Sequence, residues 1–234
     1  MRRALAFLTI AGTGRTPDGR TMRWFPLAGA TIGLVVGCTW WAADRVFPPL
    51  LAAAIVVLVD LTITGLLHVD GLADSADGLL PHMDRDRRLA VMADPTTGAF
   101  AVAAVAVVIV VRMVAFGSRP VDIGLIVGLW CVSRSAMALV ALARPYARPG
   151  GLATAFLGDR LAPGLAVAGI LAGGVLATAT DGRAGLAATV AFLVGAAAVV
   201  AFAQRRIGGF TGDVLGALGL VGETLALVVA AAKW

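Results

Sequence analysis

Long apolar runs alternate with short polar connections along this chain, and the runs have the length of membrane helices. Seven stretches, roughly 25–43, 47–67, 99–117, 121–143, 161–180, 184–203 and 213–232, stand out. Each offers about 20 mainly apolar residues, which is what one α-helix needs to cross the hydrocarbon core of a bilayer. The ten-residue alternating segments of an outer-membrane barrel are missing. Ala, Gly, Val and Leu dominate the runs, a composition that lets helices approach closely in lipid. The pattern predicts an all-α, polytopic integral membrane protein with about seven transmembrane helices and a single domain over residues 1–234. No span repeats another, so an inverted-repeat architecture is not expected. The first twelve residues carry Arg2 and Arg3 and a short apolar stretch without a small-residue cleavage site. They read as an interfacial or partly inserted segment rather than a removable signal.

Composition agrees with lipid as the solvent. The 234 residues are 59% hydrophobic and 14% charged, against roughly 25% charged in an ordinary soluble domain. The mean hydropathy of +0.92 excludes both a typical soluble fold and disorder. Cys38 and Cys131 sit inside apolar runs, and no Cys/His spacing resembles a zinc site. The net charge of +5 does not point to nucleic acid, because the arginines are scattered over short loops without interleaved aromatics. Membrane orientation explains them better. With the N-terminus in the cytoplasm, thirteen arginines, Arg15 and Arg160 among them, fall inside and four basic residues outside. The positive-inside rule then places the N-terminus and the 68–97, 144–160 and 204–213 loops in the cytoplasm, and with seven spans the C-terminus outside.

The densest polar chemistry lies in one of those loops, in His68-Val69-Asp70-Gly71-Leu72-Ala73-Asp74-Ser75-Ala76-Asp77-Gly78. Aspartates spaced four and three apart fall within an arc of about 60° on a helix. Three like charges so placed repel one another, and a divalent cation would turn the repulsion into ligation. Hard carboxylate oxygens without a thiolate favour Mg²⁺ or Mn²⁺. Asp70, Asp74 and Asp77 are therefore candidate metal ligands, the competing reading being a solvated acidic face. Gly71 and Gly78 allow a phosphate or another backbone to come close. His68 points about 160° away on a continuous helix and reaches the acids only if the helix starts near Asp70. Carboxylates and Mg²⁺ at a membrane face suit phosphoryl-type transfer.

Other polar residues extend the set. Asp94 before Pro95 reads as a turn or helix start. Gly208-Gly209-Phe210-Thr211-Gly212-Asp213 opens the last span with three glycines, a hydroxyl and an acid, able to cradle phosphate or hold a metal-bound water, or to serve as an ordinary connection. Asp60, Arg112, Arg134 and Glu223 lie inside apolar runs, where each costs a few kcal/mol, on the order of 3, unless paired or solvated. Either the arginines and Glu223 bind substrate, or they form a structural ion pair such as Asp60–Arg112.

These motifs resemble the cobalamin synthase family, the adenosylcobinamide-GDP ribazoletransferases. Phe25-Pro26-Leu27-Ala28-Gly29 is similar to an early FPxxG element. Thr64-Gly65 through Gly78 is similar to the signature TGGxHxDGLADTxDG, with Leu66 in place of the second glycine and Ser75 in place of threonine. Met92 to Ala101 resembles MxDSRxGTxG, although Pro95-Thr96-Thr97 lacks its serine and arginine. Val132-Ser133-Arg134, Tyr146-Ala147-Arg148 and Gly208 to Ala217 match further elements in family order, and Leu220 departs from a glutamate while Glu223 keeps one. The resemblance implies a transferase in the inner membrane of a bacterium or archaeon. Its substrates would be adenosylcobinamide-GDP and α-ribazole or its 5′-phosphate, its product cobalamin or the 5′-phosphate, its leaving group GMP and its cofactor Mg²⁺. On that reading Asp70, Asp74 and Asp77 hold the metal, and His68, Asp77, Asp94 and Asp213 serve catalysis. Arg112, Arg134, Thr211, Gly212 and Glu223 would bind substrate. Membrane lipid is an expected partner and nucleic acid is not. Two alternatives stay open: a CDP-alcohol phosphotransferase, whose DGxxAR pattern is not met here, and a cation-coupled transporter.

Overall fold

The computed structural model describes residues 1–12, 18–148 and 163–234. Among the described residues the chain is all-α, with helices α1 (Arg2–Leu8), α2 (Phe25–Asp44), α3 (Pro49–Ile63), α4 (Leu67–Leu79), α5 (Arg85–Val91), α6 (Ala99–Gly117), α7 (Ile123–Ala143), α8 (Gly164–Ile207) and α9 (Gly212–Ala230). Proline in the first turn starts α2 and α3, where a missing N–H costs nothing. The Asp122 carboxylate accepts from the Leu125 amide and caps α7. Among the described residues five helical segments are long and apolar enough to cross a membrane, and six if α3 and α4, joined at an 88° bend, count as one.

Two departures from the expected spans have clear local causes. The 44-residue run α8 breaks at Gly182, whose φ of 57° and ψ of −133° suit only glycine. There the chain folds back, so that a Cβ on Gly174 would meet the Thr189 side chain at 3.1 Å. Its two limbs therefore stand where spans 161–180 and 184–203 were expected. Residues 161 and 162, like Arg15 and Arg160, lie outside the described residues. The stretch expected at 47–67 ends instead at Ile63. Gly65 and Leu66 both have φ of 58°, and two left-handed residues cannot continue a right-handed helix. The Thr64 hydroxyl donates to the Asp60 carbonyl at 2.8 Å and closes the end of α3. Apolar residues run on unbroken through this turn, which is why hydropathy alone overran it.

The core is centred on α7, whose Leu125, Ile126, Leu129, Trp130 and Val132 are wholly buried. Backbones approach closely through small residues. A Cβ on Gly33 of α2 would lie 2.8 Å from the Ile126 carbonyl oxygen, and one on Gly128 would lie 2.5 Å from the Gly173 carbonyl oxygen of α8. Outward-facing Leu58, Val102, Val107, Leu171, Val175 and Val194 are all more than half exposed, as the lipid-facing side of a bundle requires. At 13 residues, about 20 Å long, and carrying three aspartates, α4 is not a crossing helix. It lies against α9 and the start of α6, and this junction carries the polar residues.

Candidate active site

The acidic motif forms one continuous helix, α4, from Leu67 to Leu79, as its spacing predicts. Its place is fixed by glycines on both sides of the α4–α9 crossing. A Cβ on Gly71 would lie 2.7 Å from the Asp213 carbonyl oxygen, and one on Gly216 would lie 3.2 Å from the His68 Cα. Gly71 thus serves helix–helix approach rather than a phosphate. The far end of α4 is held by buried Arg88, which donates to the carbonyls of Gly78 and Leu79 at 2.8 and 2.9 Å. Asp70 is exposed and Asp74 and Asp77 are half-buried on the side away from the core.

The glycine-rich run joining α8 to α9 is a clip. Gly208 ends α8 in the left-handed conformation, φ 76°. The Phe210 amide donates to the Pro145 carbonyl at 3.0 Å and the Ala147 amide to the Phe210 carbonyl at 2.8 Å. Tyr146 meets Phe210 edge-on with ring centroids 5.3 Å apart. Arg85 ties both strands of the clip, reaching the carbonyls of Ile207 and Ala147 at 3.0 Å each. The clip delivers Arg148 to Asp213 at 3.3 Å, on the first turn of α9. Thr211 caps that helix, accepting from the Val214 amide at 3.3 Å and donating to the Asp213 carboxylate at 3.1 Å. Gly212 is exposed beside it.

Between α4, α9, the clip and the N-terminal helix lies a cavity of about 310 Å³. One wall is apolar, made by Phe7, Met22, Phe25 and Met137; the other carries His68, Asp70, Arg148 and Asp213. The N-terminal segment therefore closes the site. Sequence reasoning left Tyr146, Arg148, Met22 and Met137 out of the site. Tyr146 and Arg148 had a signal in the Tyr146-Ala147-Arg148 element that resembles the family, expected on the same membrane side as the aspartates.

Electrostatics set the protonation states. Burial first, and then the charges of Asp213 and Asp70, push the Asp74 carboxyl up to about 7, with Arg148 opposing. His68 is held well below the usual imidazole range, by burial first and then by Arg134 and Arg112. It is neutral at pH 7. Hydrogen bonds from the Thr96 hydroxyl and amide hold Asp94 below the usual carboxylate range.

Several expected site residues lie elsewhere. Arg112, Arg134 and Glu223 form a closed buried network with Asp60 and do not reach the cavity wall. Arg112 bridges Asp60 at 2.6 Å and Glu223 at 3.2 Å, Arg134 pairs with the other Glu223 oxygen, and the Trp130 indole donates to Asp60 at 3.0 Å. Asp94 is exposed in the α5–α6 connection, accepting from Thr96 at 2.9 and 2.5 Å. It does not start α6. Asp77 does that from across the fold, accepting from the amides of Gly98 at 2.6 Å and Ala101 at 3.0 Å.

Among the described residues no three carboxylate, imidazole or thiolate groups gather into an enclosing metal site. The carboxylates of Asp70 and Asp74 carry no hydrogen bond or ion pair there; Asp70 and Asp213 line the cavity, and the charges of both reach Asp74 beside it. Such a hard-oxygen set fits Mg²⁺, which takes one or two carboxylates and completes its shell with water and substrate phosphate. It does not fit a dedicated three-aspartate cage.

Comparison with known proteins agrees with the sequence motifs. The family model described as cobalamin-5-phosphate synthase matches residues 1–231. The chain is 36% identical over 221 residues to an adenosylcobinamide-GDP ribazoletransferase of Pseudomonas aeruginosa, covering 92% of this chain and 89% of the relative. It is 35% identical over 236 residues to one of Chlorobaculum tepidum, covering 98% and 92%. A third, from Syntrophobacter fumaroxidans, is 35% identical over 245 residues, covering 99% and 97%. No solved structure matches the chain.

Proposed function

We infer the reaction from one premise: the chain belongs to the cobalamin-5-phosphate synthase family. It transfers the adenosylcobinamide-phosphate group of adenosylcobinamide-GDP to α-ribazole or its 5′-phosphate and releases GMP. The observation that carries this reading is the family match over residues 1–231. The CDP-alcohol phosphotransferase and transporter alternatives fall with it.

In the reaction a ribose hydroxyl oxygen of the ribazole bonds to the phosphorus next to cobinamide, the bond from that phosphorus to the GMP oxygen breaks, and the hydroxyl proton leaves. His68 takes that proton; its neutral state and its place on the cavity wall support the assignment. Arg148 meets the pyrophosphate charge by exchanging Asp213 for phosphate, since a guanidinium pairs readily with either. Asp74, with Asp70 or Asp213, holds Mg²⁺, which when bound neutralises phosphate charge. The apolar wall covers the ribazole base, and a cavity of about 310 Å³ takes a nucleoside-sized group while leaving the corrinoid outside. The clip and α4 face the cytoplasm, a reading supported by the arginine asymmetry of the loops.

The test is GMP release by purified protein in detergent, given adenosylcobinamide-GDP and α-ribazole with Mg²⁺ or with EDTA. GMP forms only with both substrates and the metal. No GMP from folded protein overturns the transferase, and formation in EDTA overturns the metal assignment alone.

A further inference from the structure

A second concavity lies outside the active site, between α7 and the C-terminal limb of α8, with a volume of about 470 Å³. Both helices run toward the same edge of the bundle, α7 ending at Ala143 and α8 at Ile207. Along the groove Leu139, Val140, Leu193 and Val200 present hydrocarbon, and its floor is kept open by alanines. From Leu193 to Arg205 it extends about 18 Å at the helical rise, the length scale of an acyl chain. Its end is different in kind. Arg144, Gln204 and Arg205 close it, with no acidic residue in the lining. Arg144 and Arg205 are exposed, and their guanidinium groups make no ion pair or hydrogen bond among the described residues. Two uncompensated cations above an apolar slot at a helix-bundle edge complement an anionic headgroup carrying a long chain.

We propose that this groove is a binding site for an anionic glycerophospholipid of the bilayer, one acyl chain along α7 and α8 and the phosphate between Arg144 and Arg205. Gln204 offers an amide donor to the same headgroup. A zwitterionic lipid places its own cation near the arginines and binds less well. The site does not depend on the reaction assigned above, and neither arginine belongs to its machinery.

The experiment is native mass spectrometry of the full chain released from nanodiscs of equal parts phosphatidylglycerol and phosphatidylcholine. The protein retains phosphatidylglycerol at least fivefold over phosphatidylcholine. The R144Q/R205Q variant loses that preference, R144K/R205K keeps most of it, and Ala201→Phe, which fills the slot without touching charge, lowers retention of both lipids. Size-exclusion profiles matching the unaltered protein establish that the variants are folded. Equal retention of the two lipids, or a preference that survives R144Q/R205Q, overturns the proposal. So does retention unchanged by A201F.

Discussion

Asp74 is the residue in which stability and chemistry pull against each other. Its carboxyl is raised to about 7 by burial and by Asp213 and Asp70, so the folded chain binds its proton more tightly than the unfolded chain does. The sign follows: without a cation, stability falls as pH rises from about 4 to about 7, where only the unfolded state has already lost the proton. Asp74→Asn removes that penalty. Its thermal midpoint in EDTA at pH 8 should rise by a few degrees, while GMP release drops by two orders of magnitude or more and membrane abundance holds. A lower midpoint together with near-normal turnover would remove Asp74 from the site. Leu66 makes the opposite point. It occupies a left-handed conformation, φ 58°, that costs a side-chain-bearing residue roughly 1–2 kcal/mol. Leu66→Gly recovers up to about 1 kcal/mol after the extra chain entropy of glycine is deducted. Leu66→Val, branched at Cβ, should be less stable than the unaltered chain in the same melt.

At the scale of elements, α4 was legible because its carboxylate spacing and helical period agree, and the apolar runs marked α2, α6, α7 and α9 to within a few residues. The turn at Thr64–Leu66 was not legible: a left-handed pair of residues leaves no trace in hydropathy. Nor were long-range partners, the Asp60–Arg112 pair apart. Asp94 before Pro95 looks locally like a helix start, yet α6 is capped by Asp77, 21 residues before Gly98. Asp77 thus belongs to helix anchoring as much as to the acidic face, and its substitutions separate the two. Asp77→Ala should cost about 1 kcal/mol, as loss of a cap does, and speed hydrogen exchange at the Gly98 and Ala101 amides. Asp77→Asn keeps an acceptor oxygen and should retain turnover within tenfold. If D77N is as inactive as D74N while exchange at those amides is unchanged, Asp77 serves the chemistry directly.

The whole molecule rests on a charge balance inside its core. Asp60 from α3, Arg112 from α6, Arg134 from α7 and Glu223 from α9 bring two negative and two positive charges together at side-chain exposures of 0–5%. Four helices distant in sequence are registered against one another by this neutral set. The sequence showed four costly intramembrane ions and offered Asp60–Arg112 as a structural pair, which the structure bears out. It did not show Arg134 and Glu223 joining that pair, because this depends on how α7 and α9 sit across the fold. Glu223→Gln leaves two guanidiniums facing the single Asp60 carboxylate. One uncompensated charge in a low-dielectric interior costs about 3–5 kcal/mol, a large share of any domain's stability. E223Q should therefore reach the membrane in much lower amount and melt well below the unaltered protein in detergent. Removing a cation as well, in Arg134→Met/E223Q, restores neutrality and should recover most of the yield and midpoint. A network that contacts substrate predicts otherwise: E223Q would fold normally with a raised KM, and the double variant would bind substrate no better. Yield and melting read the first outcome, and substrate titration of GMP release reads the second. Recovery by the double variant would make these ions the pins of the bundle, distinct from the junction of α4, α9 and the clip.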